Sequence, residues 1–180
     1  MGKTIVINLF AGPGCGKSTT ASGVFSELKR MGVNCEYVQE YAKDLVWGKN
    51  FKTLSNQIHV YGEQHNRIFR LKGEVDVIIT DSPPVMGMVY CDWTKVDKSL
   101  KTLAYAEHHR DDVYNLNYFI ERSKKYNPKG REQTESEAIE VDNKLLNLLY
   151  EFDVEYKRIK NDNNILTQIT ENVIDIINKK

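Results

Sequence analysis

Between positions 11 and 18 the chain reads Ala-Gly-Pro-Gly-Cys-Gly-Lys-Ser. Gly12, Gly14 and Gly16 let backbone N–H groups turn inward around an anion, as successive amides do in a nest. Lys17 adds a mobile ammonium suited to the β- and γ-phosphates of a nucleotide, and the Ser18 hydroxyl is of the type that ligates Mg2+. Gly12, Pro13, Gly14, Cys15, Gly16, Lys17, Ser18 and Thr19 are therefore the candidate phosphate ligands, with ATP and Mg2+ the implied cosubstrate and metal. Ala11 stands where the pattern usually carries glycine, which alanine satisfies if φ stays negative. Cys15 has two readings: a thiol activated by the helix start that follows it, or a small residue filling a variable position.

Three further places carry charge that phosphoryl chemistry needs. Glu40 ends the segment Cys35–Gln39 and is followed by Tyr41, Asp44 and Trp47. A carboxylate there points across the cleft toward the γ-phosphate side; alternatively it serves the start of a helix. Asp81 closes the apolar run Val-Asp-Val-Ile-Ile-Thr, where an acid holds Mg2+ directly or through water, or else caps the Ser82-Pro83-Pro84 turn. Residues 122–131, Arg-Ser-Lys-Lys-Tyr-Asn-Pro-Lys-Gly-Arg, form a basic stretch that reads as a lid. Arg122 and Arg131 present the planar fork that suits phosphate, whereas Lys124, Lys125 and Lys129 read as solvated charge. Gln57, Tyr61 and Gln64 share a helical spacing that turns them to the cleft or to the core edge. His59, His65, His108 and His109 are read as structural or solvent-facing, since adjacent His108 and His109 diverge by about 100° on a helix.

The elements that must hold these residues follow from periodicity. Strands are expected over Thr4–Phe10, Cys35–Gln39, Val75–Thr80, Asn115–Arg122 and Val154–Ile159, from β-branched and aromatic apolar runs. Helices are expected over Thr19–Arg30, Tyr41–Trp47, Ser55–Lys72, Lys98–His109, Thr134–Tyr150 and Ile165–Asn178. Thr134-Glu135-Ser136-Glu137 fits a capping box, and Ile165, Ile169, Val173, Ile176 and Ile177 line one face of the last helix. Five strands alternating with helices predict an α/β fold: a mainly parallel five-stranded sheet, helices on both faces and a basic lid, within one domain over residues 1–180.

Composition narrows the partners. The 180 residues carry 25 Lys plus Arg against 25 Asp plus Glu, a balance that argues against obligate nucleic-acid binding. No apolar run approaches the ~20 residues of a membrane span, and the N-terminus lacks a secretory cleavage pattern. The three cysteines, Cys15, Cys35 and Cys91, are too few and scattered for a disulfide framework, so a reducing cytoplasm is the expected compartment. Lysine far exceeds arginine and asparagine is abundant, a bias that points to an AT-rich genome.

The order of parts resembles the P-loop nucleoside and nucleotide kinases. The stretch Val-Gln-Glu-Tyr-Ala-Lys-Asp-Leu-Val-Trp, the helix with Gln57 and Glu63-Gln64, and the Thr-Asp-Ser-Pro-Pro turn are similar to the AAA-type domain of nicotinamide-riboside-kinase-like proteins, a family with many phage members. Glu40 with Trp47 and the Arg122–Glu132 lid also resemble the deoxyribonucleoside kinases, which implies a general-base role for Glu40. The resemblance spans about residues 4–165 and implies a three-layer P-loop fold and a small nucleoside-like acceptor. It also implies an adenine contact in the loop Lys160–Asn164, with Asp162 as its candidate, and leaves oligomerisation open. Ser82 departs from it, since these kinases usually carry arginine after the aspartate. Two other functions fit the same residues: an ATPase or nucleotide-dependent switch without a small acceptor, and a kinase acting on a nucleic-acid hydroxyl.

Overall fold

The computed structural model describes residues 3–122 and 134–179. Its sheet has five strands in the order β2-β3-β1-β4-β5: β1 (Thr4–Phe10), β2 (Cys35–Val38), β3 (Val77–Thr80), β4 (Val113–Glu121) and β5 (Lys157–Lys160). Every pairing is parallel, with Asn8 opposite Thr80 on one side of β1 and opposite Asn117 on the other. All seven residues of β1 are buried, as a strand covered on both faces requires. The edge strand β5 buries only Ile159 and turns out Lys157, Arg158 and Lys160, charges that discourage edge pairing.

The helices are α1 (Lys17–Arg30), α2 (Tyr41–Trp47), α3 (Phe51–Leu54), α4 (Gln57–Phe69), α5 (Ser99–His108), α6 (Glu135–Glu151) and α7 (Ile165–Asn178), with a 3₁₀ helix over Pro84–Tyr90. The period of two in β1 divides the core. Ile5, Ile7 and Leu9 pack with Val24 and Leu28 of α1 and Ile169 and Val173 of α7. Phe10 packs on the other face with Tyr61, Met86, Met88, Ala104, Leu145 and Leu149. Thr134 and Glu137 do form the capping box: the Thr134 Oγ1 accepts the Glu137 N–H at 3.3 Å and the Glu137 carboxylate accepts the Thr134 N–H at 2.6 Å.

Several expected boundaries move. The helix expected over Ser55–Lys72 is α4, which starts at Gln57, where the Asn56 side chain accepts the His59 N–H at 3.3 Å, and the short α3 before it, capped by Asn50, was not expected. The last strand starts at Lys157 rather than Val154: Asp153 turns the chain at φ 49°, and Val154 is spent in the core on the Phe10 face.

Candidate active site

The glycine-rich loop runs from the end of β1 into α1, at the carboxyl edge of the parallel sheet where open α/β folds bind ligands. Gly14 and Gly16 hold φ of 87° and 90°, values that a side chain resists. No acid stands in the first turn of α1 and no side chain caps it. Its free N–H groups and positive end therefore face the loop. The Lys17 Nζ donates back to the Ala11 carbonyl at 2.7 Å and the Gly12 carbonyl at 3.2 Å. Burial lowers its pKa below the ordinary 10.5, against the opposing pull of Glu40, Cys15, Asp81 and Asp142. Three carboxylates thus act electrostatically on one ammonium.

Asp81 follows β3, is 2 % exposed, and its Oδ1 is buried with no hydrogen-bond partner among the described residues. The turn's Ser82 N–H is taken by the Thr80 Oγ1 at 3.1 Å, so that turn is closed without Asp81. An unsatisfied buried carboxylate oxygen is costly and is the kind of donor a hard cation takes up. Beside it, burial and the Asp81 carboxylate raise the Tyr37 phenol well above its ordinary pKa, while the Ser18 and Ser22 hydroxyls pull the other way. Ser18, Tyr37 and Asp81 thus meet, and Ser18 and Asp81 fit an Mg2+ site.

Glu40 is the N-cap residue of α2, yet its side chain makes no cap hydrogen bond. Burial raises its pKa above 4.5, with Lys17 opposing and Asp81 reinforcing. Gln64, 4 % exposed on α4, holds both flanks of this position: its Oε1 accepts the Tyr41 N–H at 2.8 Å and its Nε2 donates to the Gln39 carbonyl at 3.4 Å. Of the three spaced residues on that helix, Gln64 supports the site, Tyr61 belongs to the core, and the Gln57 Nε2 donates to the Leu54 carbonyl at 2.8 Å. Tyr41 faces away into α4, its hydroxyl 2.9 Å from His59 Nε2 and its ring under Arg67. Trp47 is 74 % exposed.

Arg122, at the end of β4, reaches the loop from outside. Its Nε and NH2 grip the Asp142 Oδ2 at 3.0 and 2.8 Å, and its NH1 donates to the Pro13 carbonyl at 3.0 Å. Arg131 and most of the expected lid lie outside the described residues. Asp162 is exposed and accepts the Asn164 N–H at 2.9 Å; its neighbour Asn161 is the residue that touches the loop, donating to the Cys15 carbonyl at 2.7 Å. Burial first, then Asp142, raises the Cys15 thiol, so the activated-thiol alternative has no support. Thr19 is exposed at the loop's outer end.

Sequence reasoning missed Asp142 and Tyr90. Asp142 did leave a signal: it shares the stripe Ala138, Asp142, Leu145, Leu149 of α6, whose other members are buried, and an acid on such a stripe needs a partner. Tyr90 left none. It stands 42 % exposed at the end of the 3₁₀ helix, and desolvation and then the charges of Glu40 and Asp142 raise its phenol.

A sequence profile described as AAA domain matches residues 6–164. No curated protein matches the sequence. Among solved structures, a thymidylate kinase from Ehrlichia chaffeensis aligns at 14% identity and a TM-score of 0.62, covering 98% of this chain and 100% of that one. A deoxyadenosine kinase from M. mycoides, with the product dCMP and a flexible dCDP bound, aligns at 14% identity and a TM-score of 0.54, covering 97% and 100%. Both carry the fold of P-loop nucleoside and nucleotide kinases, which this chain shares.

Proposed function

The chain belongs to the AAA domain family, and on that premise we propose that it is an ATP-dependent, Mg2+-requiring kinase acting as a single domain on a small nucleoside-like acceptor. The observation that carries this reading is Glu40: half-buried, unused as a cap, and near enough to Lys17 and Asp81 to be felt by both. An ATPase would use such a carboxylate to position water, so background ATP hydrolysis beside acceptor turnover in the Glu40 variant separates the two readings.

Gly14 to Thr19 hold the phosphate chain through backbone N–H groups, since Pro13 has none and the Gly12 N–H is donated to Asp142, and Lys17 leaves the loop carbonyls for the β- and γ-phosphates. Ser18 and Asp81 would hold Mg2+, which supplies charge neutralisation on the phosphate oxygens when bound. Glu40 takes the proton from the acceptor hydroxyl as its oxygen bonds to the γ-phosphorus; the bond to the β-phosphate oxygen breaks and ADP leaves with that electron pair. Burial keeps Glu40 a stronger base than an exposed glutamate. Arg131 is assigned to the charge that shifts onto the transferring group, and the turn holding Asp162 to the nucleotide base.

Glu40→Gln keeps shape and hydrogen bonding but removes basicity. Transfer to a nucleoside should fall roughly 10²–10⁴-fold with near-normal ATP binding. The wild-type rate should climb with pH through the raised Glu40 pKa, and that limb should vanish in the variant. A screen of labelled ATP against deoxynucleosides, their monophosphates, nicotinamide riboside and oligonucleotides identifies the acceptor. Near wild-type transfer in Glu40→Gln would mean an acceptor that is already a phosphate.

A further inference from the structure

The phosphate loop has an inside and an outside, and its motif accounts only for the inside. On the outside, three of its backbone groups are taken by side chains from distant elements. Asp142 of α6 accepts the Gly12 N–H on its Oδ1 at 2.5 Å. Arg122 of the β4 end donates to the Pro13 carbonyl at 3.0 Å, and Asn161 of the β5–α7 loop donates to the Cys15 carbonyl at 2.7 Å. Asp142 and Arg122 are themselves joined, two guanidinium nitrogens donating to the one Asp142 Oδ2, at 15% and 14% side-chain exposure.

The fit is close enough to dictate two of the glycines. A Cβ on Gly12 would stand 2.6 Å from both the Ala138 carbonyl oxygen and the Asp142 Oδ1, and one on Gly16 would stand 2.4 Å from the Asn161 Nδ2. These glycines are required by what presses on the loop from behind as much as by the anion in front.

We infer that Asp142, Arg122 and Asn161 are positioning residues that brace the phosphate loop from its outer side. A peptide unit points its C=O and N–H in opposite directions. Holding the Cys15 carbonyl outward therefore holds the Gly16 N–H inward, toward an anion. Engaging the Gly12 N–H and the Pro13 carbonyl fixes the first turn, from which the later amides are aimed. Without the brace, each amide would have to be ordered when phosphate binds, at a cost to affinity. Arg122 lets the brace use an acid so near an anion site, because the ion pair offsets the charge of Asp142.

The inference rests on the proposed reading of the loop as an anion site and not on the acceptor. Its test uses inorganic tripolyphosphate with Mg2+ as the probe, measured by calorimetry, beside thermal melting. Asn161→Ala is expected to weaken tripolyphosphate binding about tenfold, from one orphaned carbonyl, with the melting temperature little changed. Asp142→Asn retains an acceptor for Gly12 but turns an NH2 toward Arg122, and it too should bind more weakly. A bare charge effect predicts the reverse, because removing an acid favours an anion. Tighter binding in Asp142→Asn, or binding within twofold of wild type in Asn161→Ala, would overturn the brace, as would a wild-type protein that does not bind tripolyphosphate. Should Asp142→Asn fail to fold, Asn161→Ala decides alone. Weakened binding in a protein that transfers phosphate to no acceptor would support the brace while refuting the kinase reading.

Discussion

The two faces of the sheet are built to different standards. Against α1 and α7 lies one continuous apolar cluster, from Ile5, Ile7 and Leu9 through Val24 and Leu28 to Ile169 and Val173. On the opposite face the core divides into two clusters, and polar groups fill the space between. The Asn8 Nδ2 donates to the Asn115 and Asn117 side-chain oxygens at 2.9 Å each, and His65 pairs with Glu107 at 3.2 Å. A small cavity of about 40 Å³ opens among Asn8, Tyr61, His65 and His108. The same side carries short helices with exposed apolar residues, Trp47 at 74% and Phe51 at 50%. The phosphate loop leads into the helix that seals the first face, while Glu40, Gln64 and Tyr90 belong to the second. On the proposed function, the nucleotide site is set in the denser packing and the acceptor side is the looser one.

The largest test of that contrast is Lys17→Ala. Taking one placed charge from the transferring phosphate should lower turnover on the order of 10²–10³-fold. The melting temperature should hold, because the half-buried Lys17 is no part of the apolar cluster on that face. A variant that unfolded instead would show the loop to be a structural element first.

On the looser face the expected break comes with pH. Burial, and then His109, depress the His108 pKa to about 4 from 6.5, and its ring sits edge-on to Phe10. The folded state therefore resists a proton that the unfolded chain accepts, so stability should be full above pH 6.5 and decline as pH falls toward 4. The loss should approach a few kcal/mol. Denaturant titrations at several pH values would measure it, and His108→Gln should flatten the curve. An equal decline in that variant would place the acid sensitivity elsewhere.

Smaller again is Asp81→Asn. It should weaken Mg2+-dependent nucleotide binding about tenfold, the loss of one charged ligand, and leave Mg2+-free binding alone. Equal losses with and without the metal would return Asp81 to a purely structural role.

Trp47→Ser should be the smallest effect, within about 0.5 kcal/mol of wild-type stability, because so exposed a ring contributes little to folding. A loss above ~1 kcal/mol that varied with protein concentration would mean that a second copy covers this surface.

Local chemistry made much of this readable. The β-branched run Thr4–Phe10 admits little but a buried strand, and α2 and α7 fall where periodicity put them, residue for residue. The capping box at Thr134 is closed by residues three apart, so it needs no tertiary partner to be recognised. The loop Ala11–Ser18 is legible for the same reason: its glycines, lysine and serine act through adjacent backbone. Between α2 and α4 the periodicity is too short to show a helix, and α3 exists there because the Asn50 side chain accepts the Thr53 N–H to cap its four residues.

What the sequence determined by itself is the inner surface of the loop and the strands and helices that carry it, because both follow from contacts within a few residues. The tertiary structure alone decided that Glu40 is free of its helix, that Gln64 holds its flanks, and that Asp142, Arg122 and Asn161 close on the loop from behind. The pairs Gly12–Asp142 and Cys15–Asn161 span 130 and 146 positions. No periodicity encodes such a pair; it exists only once parallel strands have brought both ends to one edge of the sheet.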